Sequence, residues 1–185
     1  MRARLLAALS LLAVVPIAVA ADEENPYKKT KVGDYATYKM VTKVAGMNLE
    51  GTMTQKCTAK SDKECTIKVE VNVNGMDVPA PEQKIDLTKP YDPTKAAFPD
   101  GTDAKIEKLK DGKEKIKVGG KEYDAKWESY KVKIKANGME IDAEMKSWTS
   151  NDIPMFMAKM EMTAEVAGMK IEVEMELTES GNKKE

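Results

Sequence analysis

The side chains best placed to do chemistry in this sequence carry sulfur. Met155-Phe156-Met157 and Met160-Glu161-Met162 put four thioethers close together, a spacing with which exported proteins offer soft ligands to Cu(I). Cys57 and Cys65 are the two cysteines, a pair that can form a disulfide in an oxidising compartment. Carboxylates recur in Glu172-Val173-Glu174 and at Glu140, Asp142 and Glu144, residue types that a glycosidase uses as paired acid and base. Asp100-Gly101-Thr102-Asp103 carries loop acids suited to weak calcium binding. Ser180-Gly181-Asn182-Lys183 matches the bare Ser-x-x-Lys spacing of a serine nucleophile with its lysine.

Composition narrows these options. The chain has 185 residues and no histidine; of its 30 lysines and arginines only Arg2 and Arg4 are arginine, which leaves 28 lysines. Without imidazole there is no Ser-His-Asp or Cys-His nucleophile. Without arginine beyond position 4 there is no planar fork for phosphate or carboxylate. The 28 lysines minus the 31 acids leave a net charge of −3 beyond the arginines, a poor footprint for nucleic acid. The paired acids interleave with lysines and read as a solvated face. The Ser-x-x-Lys spacing stands in a polar tail with no companion motif, and the 100–103 acids lack the full calcium-loop pattern. The expectation is a non-catalytic protein with no cofactor and no resident metal.

The first 20 residues have the three parts of a secretory signal. Arg2 and Arg4 are basic, Leu5 to Val15 is apolar, and Ala18-Val19-Ala20 supplies small residues for cleavage. The apolar run is too short, and too soon broken by Pro16, to anchor the chain in a membrane. A periplasmic or secreted address follows, with no stable membrane anchor after cleavage. The remainder divides into a flexible N-terminal tail at 21–31, one β domain at 32–178 and a flexible C-terminal tail at 179–185.

What must position any site is a series of hairpins. Gly-Met follows a small or amide residue four times, at Ala45-Gly46-Met47, Asn74-Gly75-Met76, Asn137-Gly138-Met139 and Ala167-Gly168-Met169. Each lies between runs that alternate apolar and charged residues, the pattern of a two-residue hairpin whose turn needs positive φ. A turn at 167–168 pairs Ala164 with Ile171, Met162 with Val173 and Met160 with Met175 on one face. It pairs Glu165 with Lys170 and Lys159 with Glu176 on the other. A turn at 137–138 pairs Ile134 with Ile141, Tyr130 with Met145 and Trp127 with Trp148. A turn at 45–46 pairs Thr42 with Leu49 and Tyr38 with Met53. Asp111-Gly112 and Gly119-Gly120 suggest further turns. Strands are therefore expected at 34–44, 47–58, 64–73, 76–78, 104–110, 113–118, 121–135, 139–149, 155–166 and 169–178. In 121–135 the apolar parity changes between Trp127 and Tyr130, which calls for a β-bulge or a strand that passes from one buried face to another.

The fold class is all-β: an antiparallel meander of about 8–10 strands forming a strongly curved sheet or a barrel, with very little helix. Asp92-Pro93 could open one short turn through Phe98. The proline-rich connection 79–101 cannot be a central strand and is expected to lie over the sheet. One sheet face is apolar and rich in methionine, and the other is lysine and glutamate. With so little helix to cover it, the apolar face must close, pack or hold something. Met53, Val69, Val71, Met145, Met160, Met162 and Met175 are the candidate wall for a lipid or other apolar small molecule. The alternative is a structural or protein-interaction module with a filled core and an unknown protein partner. Parity separates Met155 and Met157 from Met160 and Met162, so Cu(I) binding ranks below methionine as an adaptable core filler. Cys57 and Cys65 share the apolar face on neighbouring strands, and a turn around Ser61-Asp62 would set them directly opposite, within reach of a structural disulfide.

Val32-Gly33-Asp34-Tyr35 with Tyr38 opens the first strand, and Trp148-Thr149-Ser150 with Ile153-Pro154 closes one strand before the next. Together with Val118-Gly119-Gly120-Lys121, this resembles small exported bacterial β-rich proteins of uncharacterised function. The tryptophan-to-proline element is also similar to the periplasmic lipoprotein carriers. That resemblance implies a curved antiparallel half-barrel around a hydrophobic groove, and it assigns no binding residue.

Overall fold

A computed structural model describes residues 25–80, 82–89, 103–136, 139–166 and 168–183. The expected signal at 1–20, the turn opened by Asp92-Pro93 and the Asn137-Gly138 tip lie outside the described residues.

Alternation of apolar and charged residues produces ten strands. They are β1 (Asp34–Val44), β2 (Met47–Lys60), β3 (Glu64–Val73), β4 (Met76–Val78), β5 (Gln83–Asp86), β6 (Asp103–Val118), β7 (Lys121–Ala136), β8 (Met139–Thr149), β9 (Met157–Val166) and β10 (Met169–Asn182). Of these, β5 is not among the expected strands and β6 joins two that are. They form one antiparallel sheet in the order β4-β3-β2-β1-β10-β9-β8-β7-β6, with β5 on β3. The order ends at β6 on one side and at β4 and β5 on the other, so the sheet is curved but not closed into a barrel. Strands from the two ends of the chain, β1 and β10, pair in the middle.

The hairpin registers fall as the turn arithmetic requires. Met160 pairs with Met175 and Met162 with Val173. Tyr130 pairs with Met145 and Trp127 with Trp148, and Tyr38 pairs with Met53. At 45–46 and 74–75 both turn residues have positive φ, Ala45 at 49° and Asn74 at 51° among them. Two-residue turns of this hand match the right-handed twist of the strands they join.

Several expectations fail for identifiable reasons. Asp111-Gly112 is not a turn: β6 runs through it, and Gly112 lies opposite Trp127. A Cβ at Gly112 would stand 2.8 Å from the Trp127 indole, so the missing side chain is the seat of a ring. The apolar parity of β7 does switch between Trp127 and Tyr130, but its pairing with β8 is unbroken. Of the two explanations the strand passes between buried faces, and the bulge lies instead in β6 at Leu109. Beyond the switch, the hairpin end buries Val118 and Ala125 on the other side. Gly119 there rests against the carbonyls of Thr178 and Leu177 in β10.

Neither tail is free along its described length. Strand β10 continues to Asn182, pairing Ser180 with Ala36 and Asn182 with Asp34. At the N-terminus Asn25, Tyr27 and Thr30 are buried around a 3₁₀ turn, Pro26–Lys28. Within 79–101 lies the edge strand β5, which buries Ile85. Val78 sits opposite Val71 and Gln83 opposite Ile67, so β4 and β5 are pieces of one edge strand interrupted at Pro79, a residue with no N–H for the ladder.

Candidate functional site

Most of the core lies on one face of the sheet, with Val118, Ala125 and Trp148 buried on the other, and the seven candidate ligand-wall residues are all on the first face and all buried. They meet as cross-strand pairs: Met53 with Val71, Met160 with Met175, and Met145 with Met162. Val69 stands beside the first pair, opposite Gln55. Met160 and Met175 are 0% and 1% exposed, so no water-sized space touches them. The wall is therefore filled on its β9–β10 side. Met155 and Met157 are buried too, ahead of and at the start of β9, where a bulge at Ala158 shifts the pairing with β8.

Gln55 is the exception on this face. It is 0% exposed, between Met53 and Cys57 along β2, and its neighbours across the ladders are Ala36 and Val69. Neither its Nε2 nor its Oε1 has a hydrogen-bond partner. Burying an amide without partners costs about 2–7 kcal/mol, depending on the reference state, and buried polar groups in native proteins are almost always paired. Sequence reasoning missed Gln55, although its parity with Met53 and Cys57 already placed it on the apolar face.

The cysteines come together, but not in the expected register. A bulge at Thr58 puts Cys57 opposite Ile67 and Cys65 opposite Lys60, so the pair is diagonal. Both thiols are free, with their Sγ atoms 3.4 Å apart. Burial pushes both up, Cys65 to about 12 with a further contribution from its hydrogen bond to Cys57. They are neutral thiols, not nucleophiles.

The N-terminal segment closes this end of the core. Asn25 Nδ2 donates to the carbonyls of Asp86 (3.2 Å) and Lys89 (3.1 Å). The Tyr27 ring meets Phe156 edge-on at 4.8 Å. Lys60 Nζ donates to the carbonyls of Tyr27, Lys28 and Thr30. Phe156, at φ 51°, belongs to the 150–156 connection that also buries Ile153 and Met155.

A second polar group was also missed. Glu128 is buried on the core side of β7, next to the parity switch that hid it from pattern reading. Its Oε1 takes Lys108 Nζ at 2.8 Å and Lys126 Nζ at 3.4 Å, and its Oε2 accepts from Tyr130 Oη at 2.5 Å. This carboxylate is fully engaged by its own chain. On the other face Lys146 lies 4.3 Å from the centroids of both Trp127 and Trp148, and Trp148 Nε1 donates to Glu114. Cross-strand pairs such as Lys133 with Asp142 at 3.3 Å and Lys159 with Glu174 at 3.2 Å populate the same outer face. The paired carboxylates of the sequence therefore sit among lysines. Among the described residues no group of His, Cys, Asp or Glu is placed to hold a metal ion.

No family model matches the chain, and no curated protein matches it. Among solved structures, the chain is similar to a Bacteroides fragilis protein described as a "putative exported protein with YmcC-like fold". The identity is 7%, the match covers 83% of this chain and 97% of that one, and the TM-score is 0.49. A likeness at that level carries no argument about ligand or activity. It does not bear on the resemblance to the lipoprotein carriers.

Proposed function

We propose that this is an exported, periplasmic or secreted, non-catalytic β protein that holds an apolar ligand such as an acyl chain on its inner sheet face. The observation that carries the reading is the buried, unpartnered carboxamide of Gln55 on an otherwise apolar face. A core that only had to be filled would gain by an aliphatic residue there. Met53 and Val71 form the adjoining wall, and unbranched thioethers repack readily around a guest. The address rests on the 1–20 signal pattern alone. Native mass spectrometry of protein purified without detergent tests the function: a co-purified lipid or uptake of a fluorescent fatty acid is expected. A clean unliganded mass with no uptake refutes it.

A second reading, a filled-core module that acts through protein contacts, is favoured by the closed packing at Met160 and Met175. It requires that no apolar ligand binds under any condition that preserves the fold.

A further inference from the structure

We infer that the turn end of the sheet is an oxidant-reactive site, where peroxides transfer oxygen to the thioethers of Met47, Met76 and Met169 and leave the fold intact. The inference stands apart from the ligand reading and starts from a fourfold motif. Val44-Ala45-Gly46-Met47, Val73-Asn74-Gly75-Met76, Ala136-Asn137-Gly138-Met139 and Val166-Ala167-Gly168-Met169 share one pattern and carry no charge, in a chain that is 33% charged. Strand pairing gathers them at one end. Val44 opposite Ile171 sets the β1–β2 and β9–β10 connections side by side. Ile141 opposite Val166 and Val73 opposite Gly51 bring the β7–β8 and β3–β4 connections to the same end. A two-residue turn asks for positive φ at its two central residues, which accounts for the glycines and asparagines. It asks nothing of the residue that follows, so turn geometry does not explain the repeated methionine.

Exposure separates these sulfurs from the rest. Met47 and Met76 are 50% and 66% exposed, and Met169 is half-buried. Met53, Met145, Met160 and Met175 are at most 3% exposed. At the opposite end of the sheet the 150–156 connection folds its apolar side chains inward, Met155 among them. Cys57 and Cys65 do not compete for oxidant, because burial keeps both as neutral thiols and the thiolate is the reactive form. The step balances with hydrogen peroxide as the oxidant. A sulfur lone pair takes one peroxide oxygen, the S–O bond forms as the O–O bond breaks, and the other oxygen leaves with both hydrogens as water. Sulfur is oxidised by two electrons and the peroxide is reduced by two. The sulfoxide is polar. At an exposed turn it stays hydrated, whereas in the core it would be a buried polar group without a partner.

The test treats the exported protein with hydrogen peroxide at neutral pH and follows each methionine by peptide mass spectrometry. Met47 and Met76 are expected to gain oxygen at least about tenfold faster than Met53, Met145, Met160 and Met175, with Met169 between them. The urea midpoint should hold while only the turn methionines carry oxygen. Methionine sulfoxide reductases for both epimers should then remove that oxygen from the folded protein. The double variant Met47→Leu, Met76→Leu should lose the fast uptake at both positions and keep the slow rates of the core. Equal rates at turn and core methionines, a fast uptake of full size in the double variant, or a midpoint that falls when the turn methionines alone are oxidised overturns the inference.

Discussion

Lys60 is the most exposed test of how the core is closed. Its ammonium, at the end of β2, donates to the carbonyls of Tyr27 (3.1 Å), Lys28 (2.6 Å) and Thr30 (2.5 Å). Lys60→Met keeps the aliphatic stem and removes all three bonds. Hydrogen bonds to a charged group contribute about 1.5–3 kcal/mol each when the partner is left dry. Here the Lys28 bond is exposed and the other two are part-buried, so water replaces much of the loss. A total of about 2 kcal/mol for the three together is the reasonable value, equivalent to about 30-fold in the opening of residues 25–30. Native-state hydrogen exchange reads this directly. The Lys28 and Thr30 amides, bonded to Asn25 O and Tyr27 O, should exchange about 30-fold faster, with β9 and β10 unchanged. Unaltered exchange at those two amides would show that Asn25 and Tyr27 anchor the segment without Lys60. Equal acceleration throughout β9 and β10 would show that it does not open separately. Either result refutes the reasoning.

Gly112→Ala forces a Cβ to within 2.8 Å of the Trp127 indole. Overpacking costs about 1–3 kcal/mol and outweighs the roughly 0.5–1 kcal/mol that alanine gains over glycine in a strand. The urea midpoint should fall and tryptophan emission should shift red; a higher midpoint with unchanged emission contradicts that seat. Ala45, at φ 49°, occupies a region that costs an L-residue about 1–2 kcal/mol. Ala45→Asn should therefore raise the melting temperature, and a drop would mean the turn does not hold that conformation in solution. The thiols predict an alkaline limit. An unfolded thiol ionises near pH 9, whereas folded Cys65 resists to about 12. Their stabilising effect is complete below pH 9 and is lost as the pH rises between those values, by up to about 1.4 kcal/mol per pH unit for each thiol. We propose that the exported protein joins Cys57 to Cys65. Alkylation without reduction should find no thiol, and the bridged form should lose the alkaline sensitivity that the reduced form shows in urea titrations at pH 8 and 10.5.

Most of the hairpin map was legible because β pairing obeys local rules. Once a two-residue turn sits at 45–46 or 167–168, every partner follows by counting, and alternation says which face each residue takes. That is why the Met160–Met175 and Met145–Tyr130 pairs and the Lys170–Glu165 pair could be written down from the chain alone. Counting fails where an extra residue enters the ladder. The bulge at Thr58 shifted the cysteines from directly opposite to diagonal, and no residue type nearby announces it.

Glycine is ambiguous for a similar reason. Asp111-Gly112 reads as a turn by composition, yet its glycine is there to let a ring from the next strand lie close. The packing of Asn25, Tyr27 and Thr30 was likewise invisible, because a short polar segment is ordered only by what it lands on. Alternation, turn chemistry and charge determined an antiparallel meander with one apolar face, and whether that sheet closed into a barrel was left to the tertiary structure. Tertiary structure alone decided which apolar positions are closed off, that Glu128 is engaged by its own lysines and tyrosine, and that Gln55 is left with an amide to satisfy. Those outcomes depend on contacts between residues distant in the chain, and no local rule counts partners across a core.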